Sequence, residues 1–596
     1  MNKMKRSTFL KHAAKAGAFV FIRPLSNNFL AGTTINKNTN VAFDDAFLKR
    51  MVVANDLEVE KTLPLIIANK VAVSRNVSRD FGYLSAAYCS PASRYYHDTA
   101  IISPLLKLVT VLQSGQTPDG TLNIGNLGSP PDTAFLLEEL TAGAALLIKD
   151  NSKDLLKVNT EVKDFLLKSG EGLMTGGVHT PNHRWVICAS LSRLNALYPD
   201  KKYLDRIEDW LGEGIFIDAD GHFPERSQTY SYVEDISLIA MGRLLKKPAL
   251  FEPVRKNLRL TYYYMEPNGD LVTTDSRRQD QFFSKTIVSF YLHYRYMAIK
   301  DQDSNFAGIA RLIENMEGFE EEIISRNIVH FLDDPLLLQQ LPSPTDPSVN
   351  YEKLFATSHL LRIRRNNITS TFFGGADLPL LIASGRSNSP NIFSFRKGGA
   401  ILKYLRLSTN FFSTGYFYSS GLKKEGNRYV LNGKLSVPYY QPLPKNLRKA
   451  SGDYKLSPSI DDRFWNKMDF KNRPVSNVKT LETTVSLQEN NGSNQLVFDV
   501  KGPAGVQVTI ELCFNEGGKL TGVLPAENDN NFVETGMAEY EFGKDKIAFG
   551  PGVMAHKNIA GLEGERYSTH FGTLRTEGMH VYLTGITPFN HKLTIA

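Results

Sequence analysis

Cysteine is scarce: Cys89, Cys188 and Cys513 are the only three in 596 residues, too far apart to frame disulfides or to give a zinc-ligand spacing. No run of about 20 apolar residues occurs beyond the N-terminus, so no membrane span is expected. Charge of one sign is scarce too. The net charge is +7, but residues 1–31 hold Lys3, Lys5, Arg6, Lys11, Lys15 and Arg23 and no acid, and without those six the remainder is +1. A nearly neutral chain gives no electrostatic case for nucleic acid.

What is present fits soluble globular protein, with 42% hydrophobic and 22% charged residues. The length calls for more than one core. Aromatics, at 11%, suit β-sandwich cores more often than sugar-binding clefts. The basic start, followed by Ala13-Ala14 and the apolar Ala16 to Ile22, reads as an export signal over residues 1–32. The expected location is periplasmic or extracellular. Arg6-Ser7 has a serine where a twin-arginine signal would repeat arginine. Lys15 and Arg23 interrupt the apolar region, and an amphipathic helix is the competing reading.

Residues 33–340 carry mostly helical periodicity, as in Ile187, Leu191, Leu194 and Tyr198. From about residue 350 to 596 the texture becomes strand-like, with alternating runs at Thr483 to Leu487, Gln495 to Val500 and Val506 to Leu512. Gln340 to Asn350, with three prolines, reads as the linker. Helix-start signals recur in the first half at Ser129-Pro130, Thr180-Pro181, Ser231-x-x-Glu234 and Ser276-x-x-Gln279, spaced by 51, 51 and 45 residues. Asp119-Gly120, Asp220-Gly221 and Asn268-Gly269 precede three of them. Helical hairpins of this period stack into a solenoid or close into an α/α toroid. In either, alternate helices start on one face, and the loops before them converge.

Those loops are rich in reactive groups. The first holds Asn126 and Asp132. The second runs from His179 through Asn182, His183 and Arg184, and the third from Asp220 through His222 and Glu225 to Tyr230. The fourth holds Asp275, Arg277, Arg278 and Asp280. Asn182 and His183 fall in a first helical turn, where free N–H groups and the dipole favour an anion. Capping alone would also explain them. Tyr230 could be a hydrophobic staple, or an acid or base if cations lower its pKa. Arg277 and Arg278 could clamp an acidic sugar or merely be solvated.

In combination these residues resemble the heparinase II/III-like and alginate-lyase-like polysaccharide lyases. Asn182-His183 matches the helix-start pair of those enzymes, and Asp220-Gly221-x-x-x-Glu225-x-Ser227-x-x-Tyr230 matches the motif that ends on their catalytic tyrosine. The resemblance implies an α+β multidomain chain, an N-terminal α/α toroid followed by an antiparallel β-sandwich domain. It implies a carbon–oxygen lyase that cleaves a 4-linked uronic acid by β-elimination. One motif departs. The stretch Ser387 to Phe395 has no histidine where the families carry H-x-H-x-D-x-G-S-F. Neither a β-domain histidine nor zinc is therefore expected. The departure points to a separate branch, similar to the lyases that release L-rhamnose from rhamnose-α-1,4-glucuronic acid in arabinogalactan side chains.

On this reading Tyr230, His183 and Asn182 are the catalytic candidates. His179, Arg184, Arg277, Arg278, Arg386, Tyr416 and Tyr418 are the substrate-binding ones. The partner is an acidic oligosaccharide or polysaccharide. No cofactor is required, and a structural calcium is compatible with the sequence. Two alternatives stand: an inverting glycoside hydrolase using Asp132, Asp220 and Glu225, and a non-catalytic glycan-binding protein.

Overall fold

The computed structural model describes residues 42–282, 285–375, 389–459, 465–564 and 576–596. The expected export signal and Arg386 lie outside the described residues. The chain divides into a helical unit, residues 42–271 and 285–347, and a strand unit, residues 272–282 and 348 onward.

Among the described residues the helical unit contains α1 (Asp45–Ile67), α2 (Asn76–Cys89), α3 (Ile102–Gly115), α4 (Pro130–Asp150), α5 (Leu156–Thr175) and α6 (Pro181–Leu197). There follow α7 (Lys201–Gly212), α8 (Gln228–Leu244), α9 (Phe251–Tyr264), α10 (Tyr291–Asp301), α11 (Ser304–Ile313) and α12 (Ile328–Asp333). The even-numbered helices α2, α4, α6 and α8 pack side by side, and α12 rests on α2 and α4. These inner helices bury most of their residues, polar ones included, as enclosed helices do. In α6 every residue from Trp185 to Leu194 is buried, whereas the outer α7 buries only Tyr203 and Ile207. The result is the α/α-toroid arrangement of an inner and an outer layer.

Two of the expected helix starts stand where the sequence places them. Pro130 and Pro181 occupy the first positions of α4 and α6, and Ser129 Oγ caps α4 by accepting from the Asp132 N–H at 3.2 Å. The third is displaced. Ser231 lies inside α8, and the cap is Ser227, whose Oγ accepts from the Tyr230 N–H at 3.2 Å. Arg226, with φ of 48°, turns the chain immediately before it and fixes the start there. The fourth opens no α-helix. Ser276 Oγ instead accepts from the Arg278 N–H, and a 3-10 turn spans Gln279–Phe282.

Gly120 and Gly221 have φ of 92° and 108°, the left-handed region that glycine alone enters freely. A Cβ on either would run into a backbone carbonyl of an outer helix, Lys168 in α5 or Lys256 in α9. The Asp-Gly dipeptides are therefore close-approach points that seat each loop on the outer layer.

In the strand unit the described residues form a ten-stranded and an eight-stranded sheet, almost wholly antiparallel. Strand Val475–Asn490 pairs with Arg428–Tyr440 on one side and Ser493–Lys501 on the other. Alternation sends Leu361, Leu405, Ile510 and Val581 of one sheet and Val485, Leu496, Phe498 and Leu593 of the other into one shared core. This is the expected β-sandwich. The opposite face of the larger sheet carries Tyr404, Arg406, Glu511, Cys513 and His580, all buried as well.

Candidate active site at the helix N-termini

The starts of α4, α6 and α8 lie at one end of neighbouring inner helices, and side chains join them. In α4, Asp132 Oδ2 accepts from Asn126 at 2.9 Å and Oδ1 from Arg75 at 2.5 Å. Burial opposes its charge, but the bonds from Asn126, Ser129 and Arg75 hold the carboxyl below its ordinary value. The Arg75 guanidinium lies 4.6 Å from the Phe135 ring centroid, and that ring meets His183 edge-on at 6.2 Å. His179 in turn packs edge-on against His183 at 4.7 Å.

Asn182 connects α6 to the loop before α8. It is wholly buried, and its Nδ2 donates to Glu225 Oε2 at 2.6 Å and to Thr180 Oγ1 at 3.3 Å. Among the described residues its Oδ1 has no hydrogen-bond partner. Turning the amide over would set Oδ1 against the Glu225 carboxylate, so Glu225 fixes the orientation. The Asn182 amide nitrogen is thus committed inside the protein. Tyr230, in the capped first turn of α8, is half-buried. Between Glu225 and Ser227, Arg226 holds a left-handed backbone that costs a non-glycine residue about 1 kcal/mol.

The loop has its own anchor. Asp218 Oδ1 accepts from the N–H groups of Asp220 (3.0 Å), Gly221 (2.8 Å) and His222 (2.8 Å), while Oδ2 lies 3.3 Å from His222 Nδ1. His222 Nε2 meets the Tyr264 hydroxyl at 2.7 Å. Burial opposes the Asp218 charge, but His222 and the turn's N–H groups outweigh it and lower the pKa. Among the described residues, Asp218, Asp220 and His222 are the cluster with metal-ligand character. Asp218 is already taken up by the turn, and an imidazole nitrogen suits calcium poorly.

One turn beyond Tyr230, Glu234 and Asp235 are buried, and among the described residues their carboxyl oxygens have no hydrogen-bond partners. Burial pushes both far above ordinary carboxyl values, and the Asp235 charge adds to the effect on Glu234. Burial therefore works against a charge on either carboxyl at this point of α8.

The remaining candidates have surroundings of their own. Arg184 Nη1 pairs with Glu213 at 2.9 Å, and its guanidinium stacks on Trp185 at 4.7 Å. Arg277 and Arg278 belong to the strand unit, where burial lowers the pKa of Arg278. Tyr416, also in that unit, is 4% exposed and donates to Glu511 Oε2 at 3.0 Å; the half-buried Tyr418 packs on it. Sequence reasoning missed Asp218 and Arg226. An Asp ahead of an Asp-Gly turn is an Asx-turn signal that could have found the first. Arg226 left no trace, because a left-handed arginine obeys no propensity.

No family model and no curated protein matches the chain. Among solved structures it is similar to heparinase III, at 14% identity over 87% of this chain and 76% of that one, with a TM-score of 0.49. It is similar to a heparan sulfate lyase from Pedobacter heparinus, at 9% identity over 87% and 75%, with a TM-score of 0.44. It is also similar to a β-arabinofuranosidase of glycoside hydrolase family 127, at 9% identity over 93% of both chains, with a TM-score of 0.35. Identities this low say nothing about which reaction is catalysed.

Proposed function

We propose that this chain is an exported polysaccharide lyase that cleaves a 4-linked uronic acid glycoside by β-elimination. The observation that carries the reading is the Asn182–Glu225 hydrogen bond, which ties the His183 turn of α6 to the loop ending on Tyr230. The C5 proton of a uronate resists removal because its neighbour is a carboxylate. The positive end of α6 and His183 would stabilise that carboxylate. Tyr230 would protonate the departing O4, and His183 or Tyr230 would take the C5 proton. Asn182 acts from behind, as a positioning residue. Burial disfavours the charged forms of Glu234 and Asp235, which lessens the repulsion an anionic substrate would meet. The step requires no cofactor.

The narrower substrate is a rhamnose-α-1,4-glucuronic acid cap on an arabinogalactan side chain. A remainder charge of +1 suits a short, singly charged target better than a dense polyanion. The test offers a rhamnose-capped glucuronide beside alginate and heparin. Release of rhamnose with an ultraviolet-absorbing unsaturated uronate is expected. Faster elimination from either polymer would overturn the narrow substrate. Product without that absorbance would establish a hydrolase, and binding without product a glycan-binding protein.

A further inference from the structure

Arg75 stands at the start of α2, immediately ahead of Asn76. Two contacts place it among the starts of the neighbouring inner helices. Its Nη2 donates to Asp132 in the first turn of α4, and its guanidinium lies over the Phe135 ring whose edge meets His183. Carboxylate and ring hold the guanidinium at two points, so a ligand has little freedom left to freeze out. The Arg75 side chain nevertheless stays 47% exposed, against 10% for Asp132, and among the described residues only its Nη2 makes a hydrogen bond. An ion pair so open to water adds little to folding. Asp132 has one oxygen on Arg75 and the other on Asn126, which makes it a holder for the guanidinium.

Given the proposed elimination, we infer that Arg75 is the cation that selects the substrate, with the exposed edge of its guanidinium binding the carboxylate of the uronic acid. The neighbouring donors are less suited. The Asn182 amide nitrogen is spent on Glu225 and Thr180, and Arg184 is paired with Glu213 and stacked on Trp185. Arg79, one turn along α2, lies 3.9 Å from Glu139. A histidine carries positive charge only when protonated, whereas a guanidinium is charged at any working pH and meets both oxygens of a planar carboxylate. One such fork suits a single planar anion; a phosphate backbone calls for a row of cations. Removal of the C5 proton drives further negative charge onto the same carboxylate, so the contact strengthens in the transition state. Arg75 is thereby a substrate-binding residue that also favours the reaction.

The test takes whichever of the rhamnose-capped glucuronide, alginate and heparin the native chain cleaves. It is offered as the free acid and as its methyl ester, which loses the charge and keeps the sugar; an uncleaved ester is read as a competitive inhibitor. In Arg75→Ala the acid-to-ester ratio of kcat/KM, or of affinity, should fall about tenfold to a hundredfold below the native ratio. Arg75→Lys keeps the charge without the fork and should recover part of it. Because Arg75→Ala strands the Asp132 carboxylate, Arg75→Gln with Asp132→Asn repeats the measurement without a stray charge and should show the same fall. Native cleavage with the ratio unchanged in these variants, including equal losses on acid and ester, overturns the role of Arg75 and leaves the elimination standing. Absence of unsaturated product from the native chain on all three substrates overturns the elimination, and the role of Arg75 with it.

Discussion

The end of the helical unit around Tyr230 and the outer face of the larger sheet are both crowded with ionisable groups, yet they treat them oppositely. On the sheet, Glu511 accepts from the hydroxyls of Tyr404 (3.2 Å) and Tyr416 (3.0 Å) and lies 3.1 Å from His580 Nδ1. His580 Nε2 meets the Thr576 carbonyl at 2.9 Å, and Arg406 stacks over Tyr404 at 3.7 Å. Both imidazole nitrogens face acceptors and the cluster is closed, with Glu511 3% and His580 1% exposed. At the helix starts, by contrast, Tyr230 is half-buried. One turn further along α8 lie Glu234 and Asp235, whose charge burial opposes and whose oxygens have no hydrogen-bond partner among the described residues. A dense set of titratable groups is thus no mark of chemistry. A saturated set stabilises; a chain of groups left partly open can act on something else.

The sharpest way to break this contrast is Tyr230→Phe. Turnover should fall by about two to four orders of magnitude, the range for a lost acid or base, with the thermal midpoint nearly unchanged. Full activity in that variant would remove Tyr230 from the reaction. Glu511→Gln should do the reverse. It strands His580 and costs about 3 kcal/mol of stability by denaturant titration, while the surviving folded fraction turns over normally. If its stability is unchanged, the cluster is not the clamp described.

The two regions should also part with pH. Burial opposes the His580 charge, but Cys513, Glu511 and the Thr576 carbonyl push its pKa from 6.5 up to about 9. A pKa raised on folding gives stability that is fully present below 6.5 and is lost as pH rises through about 9. Melting curves from pH 6 to 10 should therefore show an alkaline decline that Glu511→Gln diminishes. An identical decline in both proteins would assign it elsewhere. Smaller still is Ser227→Ala, which removes the α8 cap and should cost about 1 kcal/mol together with a several-fold loss in turnover, since the capped turn carries Tyr230. Smallest is Glu234→Gln. A carboxyl whose pKa burial raises costs stability as pH rises, and the amide removes that cost, so the midpoint at pH 8 should hold or rise slightly. A marked drop would mean that Glu234 is charged and paired.

Much of the architecture was legible because its signals are local. Proline after a cap residue marked α4 and α6 to the residue. The alternation at Thr483 to Leu487 and Gln495 to Val500 falls inside observed strands, and that at Val506 to Leu512 begins one residue before one. Ser231 misled because Ser-x-x-Glu can occur within a helix as well as at its start. What decided the case was the left-handed Arg226 just upstream, which no periodicity reveals. The site was legible as a set of residue types but not as a set of bonds. Asn182 and Glu225 are far apart in sequence, and nothing in either position says that one commits the other's amide. Asp218 escaped notice because its role lies in a turn's hydrogen bonds rather than in any side chain that points outward.

The paired glycines at 120 and 221 carry a consequence for how such a protein can change. Each pins a loop to the outer layer at one point, and each lies before a stretch that ends at the next inner helix. Length and composition can drift between pin and helix without disturbing the layers, because both ends of the stretch are set independently. A lineage built this way can exchange its chemistry loop by loop while its framework stays constant, and shared architecture then outlasts shared activity.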